Sequence, residues 1–302
     1  MQQPHWSGVF PAVTTKFTAD NELDNELFAK ATQAQLDAGV HGIVVLGTLG
    51  EAPVLSDSEK REIVSQTVAT VAGKVPVLAC VAETTTREAA RFAEQAASLG
   101  ADGLMVLPGM LYSSDRRETM AHFRAVAAAT DLPIMIYNNP VSYRVDITPE
   151  MFAELADEPH FVAIKESSDD VRRITDITNR VGNRYQIFTG VDDLALESLM
   201  LGAVGWVAGL VNPFPRETVA IYELAKAGRY EEAREIYRWF MPMLHLDVST
   251  KLVQNIKLVE ALTGQGNEYV RAPRLPLQGE ERAQVEAIVS AALAARDQQM
   301  AV

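Results

Sequence analysis

The residues best suited to chemistry are a lysine, a tyrosine and a threonine, each placed where a strand-like run gives way to a loop. Phe161-Val162-Ala163-Ile164 runs straight into Lys165, and the polar Glu166-Ser167-Ser168 follow. A short continuous apolar run reads as a strand buried on both faces, as in parallel sheets. A lysine that such a core desolvates is disfavoured in its charged form, so its pKa falls. The free amine can then attack a carbonyl carbon and form an imine. The plain alternative is a lysine that marks the strand's end with its ammonium in water, and this stretch alone leaves both readings open.

Two further strand ends carry candidates. Ile136-Tyr137-Asn138-Asn139-Pro140 places a phenol at the end of the strand just before that of Lys165. Such a phenol can shuttle protons for a carbinolamine, or it can be a core tyrosine with its hydroxyl at the surface. Gly47-Thr48-Leu49-Gly50-Glu51 is a glycine-bracketed turn whose backbone N–H groups could meet an anion, with the Thr48 hydroxyl beside them. It lacks the Gly-Lys-Ser/Thr ending of a phosphate loop. Metal chemistry is the rival. The five histidines (His5, His41, His122, His160, His245) form no pair at ligand spacing. Asp169-Asp170 and Asp192-Asp193 are expected to cap helices rather than hold magnesium. Metal-free chemistry is therefore expected.

Eight strand-like runs must position these residues: 8–14, 42–46, 75–81, 103–107, 133–137, 161–165, 185–188 and 205–211. Helical patterns separate them, one opened by the capping box Ser56-Asp57-Ser58-Glu59. Segments 39–43, 100–104 and 202–206 repeat one glycine-bracketed helix-to-strand turn. This alternation predicts an α/β fold, a (β/α)8 TIM barrel, over residues 1–213, with a C-terminal helical extension over 214–302. The barrel's active-site face is then the end where Lys165, Tyr137 and Thr48 stand. A doubly wound open sheet would want a Gly-x-Gly-x-x-Gly turn after its first strand, and the chain has none. The extension carries one proline-bounded insert, residues 271–277, expected to pack against the barrel.

Bulk properties narrow the partners. The 302 residues suffice for one barrel and an appendage. A formal net charge of −13 argues against nucleic-acid or anionic-membrane surfaces. No apolar run is long enough to span a bilayer, and the N-terminus lacks a signal-peptide pattern. The single cysteine, Cys80, sits at the end of an apolar run, reads as a buried inert thiol and fits a reducing, cytoplasmic compartment.

In order and spacing, the motifs around Thr48, Tyr137 and Lys165, with Gly190-Val191-Asp192-Asp193 and the Arg-x-Pro-x-x-Pro-Leu segment at 271–277, resemble the dihydrodipicolinate synthase / N-acetylneuraminate lyase family. The likeness covers nearly the whole chain. It implies a TIM barrel with a C-terminal helical domain, a homotetramer, and Schiff-base chemistry on pyruvate or another small 2-oxo acid without metal or organic cofactor. Lys165 would be the Schiff-base lysine and Tyr137 the proton-relay phenol. Thr48, with the backbone N–H groups of Thr48 and Leu49, would hold the substrate carboxylate. Gly190 and Val207 would border the substrate.

Three positions depart from the family's synthases. Leu49 stands for a second threonine, Met110 for a relay tyrosine that crosses to the neighbouring subunit (Tyr112 follows two residues later), and Ser142 for a substrate-gripping arginine. Tyr143 and Arg144 follow Ser142 and are expected at the substrate's rim, with Glu83, Tyr112, Trp206 and Asn212. The expected activity is that of a Schiff-base lyase on pyruvate-type or hydroxylated 2-oxo acids, by aldol cleavage, dehydration or deamination. Its rivals are a 4-hydroxy-tetrahydrodipicolinate synthase joining pyruvate to aspartate semialdehyde, a metal-assisted aldolase, and a non-catalytic 2-oxo acid binding protein.

Overall fold

The computed structural model describes residues 4–109 and 111–299, and the side chains only to residue 296. The eight apolar runs become eight parallel strands: β1 (Gly8–Pro11), β2 (Ile43–Val45), β3 (Val77–Val81), β4 (Gly103–Val106), β5 (Ile134–Asn138), β6 (Phe161–Glu166), β7 (Gln186–Thr189) and β8 (Gly205–Ala208). Every residue of these strands is buried except Gln186, as a sheet covered on both faces requires. From β2 to β8 each strand pairs with the next in sequence, and β8 pairs with β1. Ala12 bridges Val44, and the Val13 N–H donates to the Val44 carbonyl at 2.9 Å, closing the ring between β1 and β2. The result is a (β/α)8 TIM barrel.

Helices α1 (Asn25–Asp37), α2 (Asp57–Val71), α3 (Thr86–Ser98) and α4 (Arg116–Ala127) cover the first half of the barrel. Ser56 and Glu59 form the expected capping box of α2. After β5 comes a four-residue helix that hydrophobic periodicity does not show, α5 (Pro140–Tyr143). Asn139 caps it by accepting from the Ser142 N–H at 2.9 Å, and Pro140 opens it. Then follow α6 (Pro149–Leu155), α7 (Arg172–Val181), α8 (Ala195–Met200) and α9 (Pro215–Lys226). Helix α9 packs on β1 and β8, in the place of the barrel's eighth helix.

The repeated helix-to-strand turns have one cause. Gly39, Gly100 and Gly202 take φ of 86°, 88° and 106°, a conformation that side chains resist. The second glycine of each turn makes room instead: a Cβ on Gly42, Gly103 or Gly205 would stand 2.4, 2.5 or 2.2 Å from Phe10, Trp6 or Phe188. The last strand is shorter than its apolar run, because the N–H groups of Gly209 and Leu210 turn to the Asp192 carboxyl.

Beyond that eighth helix the extension consists of α10 (Tyr230–Leu244), α11 (Leu252–Thr263) and α12 (Gly279–Gln299). Buried charge ties it to the barrel. Lys257 on α11 donates to Glu51 at 2.5 Å and to the Tyr269 carbonyl at 2.6 Å, with both charged side chains fully buried. Lys16 pairs with Glu260 in a second buried contact. Phe17 lies between two cations, Lys257 at 4.4 Å and Arg271 at 4.3 Å from its ring centroid. The insert 271–277 packs on the barrel as expected, with Arg271 donating to the Asn21 carbonyl at 2.9 Å and to Glu59 at 2.6 Å. Among the described residues no helix is long and apolar enough to cross a membrane.

Candidate active site

In parallel strands, residues in register point the same way, so the pairing of β5 with β6 decides what Lys165 meets. Tyr137 is its direct partner. Lys165 is 6% exposed, and its Nζ lies 4.2 Å from the centre of the Tyr137 ring. Burial lowers the pKa of this amine, and nearby acidic groups, Tyr143 first and Asp247 next, pull against it. The β6 end is anchored by Glu166, which accepts from the Ser168 N–H at 2.8 Å and the Asn138 amide at 3.1 Å.

Gly190 makes the lysine's position possible. A Cβ there would stand 2.3 Å from Lys165 Cε and 2.2 Å from Ser167 Oγ. Burial pushes the Tyr137 phenol up to about 12, and its oxygen accepts from the Asn139 side chain at 3.1 Å. Near neutral pH it therefore carries its proton and acts first as a donor.

Across the cavity, Thr48 Oγ1 shares a 2.5 Å hydrogen bond with the Tyr143 hydroxyl. The Tyr143 ring stands edge-on to Tyr137, centroids 5.6 Å apart. Helix α5 brings this phenol back over the barrel, and burial raises its pKa well above the ordinary tyrosine value. The backbone N–H groups of Thr48 and Leu49 bond no backbone carbonyl among the described residues. The turn that carries them is fixed from both ends: Thr15 donates to the Gly50 carbonyl at 2.7 Å, and the Lys257 ammonium holds Glu51. Thr48 and Leu49 thus line one cavity of about 130 Å³ together with a lysine whose burial favours the free amine.

The profile of the dihydrodipicolinate synthetase family matches residues 5–292. The chain belongs to that family. Like the family's other members it is a Schiff-base lyase. It is 36% identical over 272 residues to a 4-hydroxy-tetrahydrodipicolinate synthase of Exiguobacterium sibiricum, covering 90% of this chain and 92% of the relative. The structure of the synthase of that name from Methylacidiphilum fumariolicum SolV superposes with a TM-score of 0.94 at 28% identity, over 98% of this chain and 99% of that one. A putative dihydrodipicolinate synthetase from Pseudomonas aeruginosa is similar at 31% identity and a TM-score of 0.91, over 95% and 100% of the two chains.

Of the family positions read from the sequence, Lys165, Tyr137, Thr48, Leu49, Gly190, Val207 and Tyr143 all line the one cavity. Arg144 does not. It takes the left-handed cap of α5 at φ 60° and its side chain is exposed. Nor do the remaining rim candidates reach it. Glu83 pairs with Lys60 at 2.7 Å, and exposed Tyr112 donates to Glu118 at 3.1 Å. Trp206 and Asn212 are buried and hold backbone and Asp192. Met110 lies outside the described residues. Asp192 is neither a helix cap nor part of a cluster of metal-binding side chains among the described residues; it accepts from Trp206 Nε1 at 2.8 Å and the Leu210 N–H at 2.7 Å. Cys80 is buried, and burial pushes its thiol up to about 12, so it is a poor nucleophile. The extension also contributes Asp247, Ser249 and Leu252 to the lining. No spacing pattern in the sequence points to them, because only the docking of the extension brings them there.

Proposed function

We propose that Lys165 captures the carbonyl carbon of a small 2-oxo acid as an imine, and that the imine then serves as the electron sink for lysis. The observation that carries this is the buried Lys165 amine lying against Tyr137, with anion donors across the cavity. The substrate carboxylate takes the N–H groups of Thr48 and Leu49. Tyr137 gives a proton as water leaves the carbinolamine and takes one back from the carbon next to the imine. Tyr143, hydrogen-bonded to Thr48 and edge-on to Tyr137, is the phenol of the same chain to which we assign the role that Met110 leaves open in the family's relay. Chemistry routed through the imine needs no further electron sink, so no metal or organic cofactor enters this reading.

The substrates we favour are pyruvate-type or hydroxylated 2-oxo acids. Condensation of pyruvate with aspartate semialdehyde is the second reading, supported by the names of the relatives; the exposed Arg144 and the serine at 142 leave it without a cation over the cavity for the second carboxylate. We also infer a cytoplasmic homotetramer. Leu111 and Val141 are 96% and 63% exposed, and apolar surface of this kind is what a second copy would cover. Light scattering in solution tests that. The imine itself is tested by borohydride reduction in the presence of pyruvate: the intact mass rises by one reduced adduct in the wild type and not in Lys165→Ala. Labelling of the alanine variant would refute it.

A further inference from the structure

A second in-register pair lies behind Tyr137 and Lys165. Side chains alternate along a strand, so Asn138 and Glu166, partners between β5 and β6, point away from the cavity that Tyr137 and Lys165 line. Both are buried, Asn138 completely. The Asn138 amide donates to Glu166 at 3.1 Å and to Asp146 at 3.3 Å, and its side-chain oxygen accepts from the Ile147 N–H at 2.9 Å. Arg173 on α7 completes the cluster. It donates to the two Asp146 oxygens at 3.1 and 2.8 Å and to the Ile147 carbonyl at 3.3 Å. Both ends of the Asn138 amide are thus engaged within the protein, away from any substrate.

This cluster closes a loop of chain. The segment between Asn138 and Ile147 contains α5 and, at its end, Tyr143. A helix of four residues has little stability of its own, since isolated helices shorter than about 12 residues are marginal in water. Its place is therefore set from its two ends. Strand β5 and the Asn139 cap fix the first. Beyond the second, where Arg144 takes the left-handed cap, the chain is held through Asp146 and Ile147. From this loop the Tyr143 hydroxyl reaches Thr48, and its ring reaches Tyr137.

We propose that Asn138, backed by Glu166 and Arg173, is a positioning residue for the reaction: by tying Ile147 to the end of β5 it sets the Tyr143 hydroxyl against Thr48. This rests on the relay role given to Tyr143 and extends it to a residue that touches neither substrate nor lysine. The other contacts of the pair are separable from that role. The Asn138 main-chain carbonyl accepts from the Ser167 N–H and the Glu166 carbonyl from the Gly190 N–H, both at 2.9 Å, and the Glu166 carboxylate accepts from the Ser168 N–H at 2.8 Å. None of these needs the Asn138 side chain, so its loss should reach the site through Tyr143.

The test uses the full-length protein with pyruvate as the probe. Exchange of the pyruvate methyl protons in D2O, followed by proton NMR, reads proton transfer next to the imine, and a thermal melt of each sample reads folding. Tyr143→Phe should lower kcat for exchange on the order of 10²-fold. Asn138→Ala, which misplaces the phenol without deleting it, should lower kcat about tenfold or more, up to the loss seen in Tyr143→Phe, with KM within about threefold. In the double variant the two losses should not add: kcat should stay within about threefold of Tyr143→Phe alone, because residues acting through one another are coupled. Asn138→Ala at the wild-type rate, or a fold-loss from it that is equal in the wild-type and Tyr143→Phe backgrounds, overturns the proposal. Should Asn138→Ala fail to fold, Arg173→Ala at the surface end of the cluster decides: kcat should fall about threefold or more alone and not fall further in Tyr143→Phe. Equal effects in the two backgrounds, or no effect in the first, would then overturn it. Wild-type exchange in Tyr143→Phe removes the relay role itself, and the proposal with it, a failure that the single variant reads before Asn138 is touched.

Discussion

Replacing Gly190 by alanine puts the positioning of Lys165 to a quantitative test. The new methyl carbon would stand 2.3 Å from Lys165 Cε and 2.2 Å from Ser167 Oγ. Carbon atoms settle at about 3.5 Å or more, so the lysine must retreat by roughly 1.2 Å. A shift on the order of 1 Å at a reacting centre costs about 10²-fold in rate. The displaced atoms are the far end of one flexible side chain and a serine hydroxyl, so the cost in stability should stay near the low end of the 1–3 kcal/mol typical of overpacked cores. The assay is the rate of pyruvate imine trapping beside a thermal melt of the same sample. The expected result is a folded protein whose trapping is about a hundredfold slower. A folded variant that traps pyruvate at the wild-type rate would show that the amine's place over Tyr137 is not what the chemistry needs.

Two further outcomes follow from contacts in the structure. Tyr143→Phe removes the 2.5 Å bond to Thr48 and should lower turnover on the order of 10²-fold with little change in pyruvate binding, read as kcat against KM. Equal kcat in the variant would leave the phenol as packing. Lys257→Ala would leave the fully buried Glu51 carboxylate with only the Arg271 N–H at 3.2 Å and the Arg274 guanidinium at 3.8 Å, and should cost about 3 kcal/mol in denaturant unfolding, whereas replacing both partners by apolar residues should recover much of that loss. A single variant as stable as wild type would mean that the pair does not hold the Thr48 turn.

The barrel was legible because its strands are continuous apolar runs and its helices amphipathic, so local pattern and final burial agree. Lys165 and Tyr137 were legible for a related reason. Each ends a strand, the strands are neighbours, and parallel register does the rest. What local pattern cannot carry is a contact made by docking. Glu51 completes a glycine-bracketed turn, yet its partner Lys257 lies 206 residues further on. Asp247 reaches the cavity only once the extension folds over β8. Arg144 looks like a substrate clamp in sequence, but the short helix α5 ends on it and turns it outward while carrying Tyr143 inward. The Asn139-Pro140 pair is the one local sign of that helix, an N-cap followed by a first-turn proline.

The central claim concerns a single nitrogen, and peptide mapping after reduction tests it most directly. The chain contains other buried lysines, Lys16 and Lys257 among them, each already engaged with a carboxylate. Digestion of the pyruvate-reduced protein should place the adduct on the peptide that contains Lys165 and on no other. An adduct found on a different lysine, or spread over several, would contradict the account.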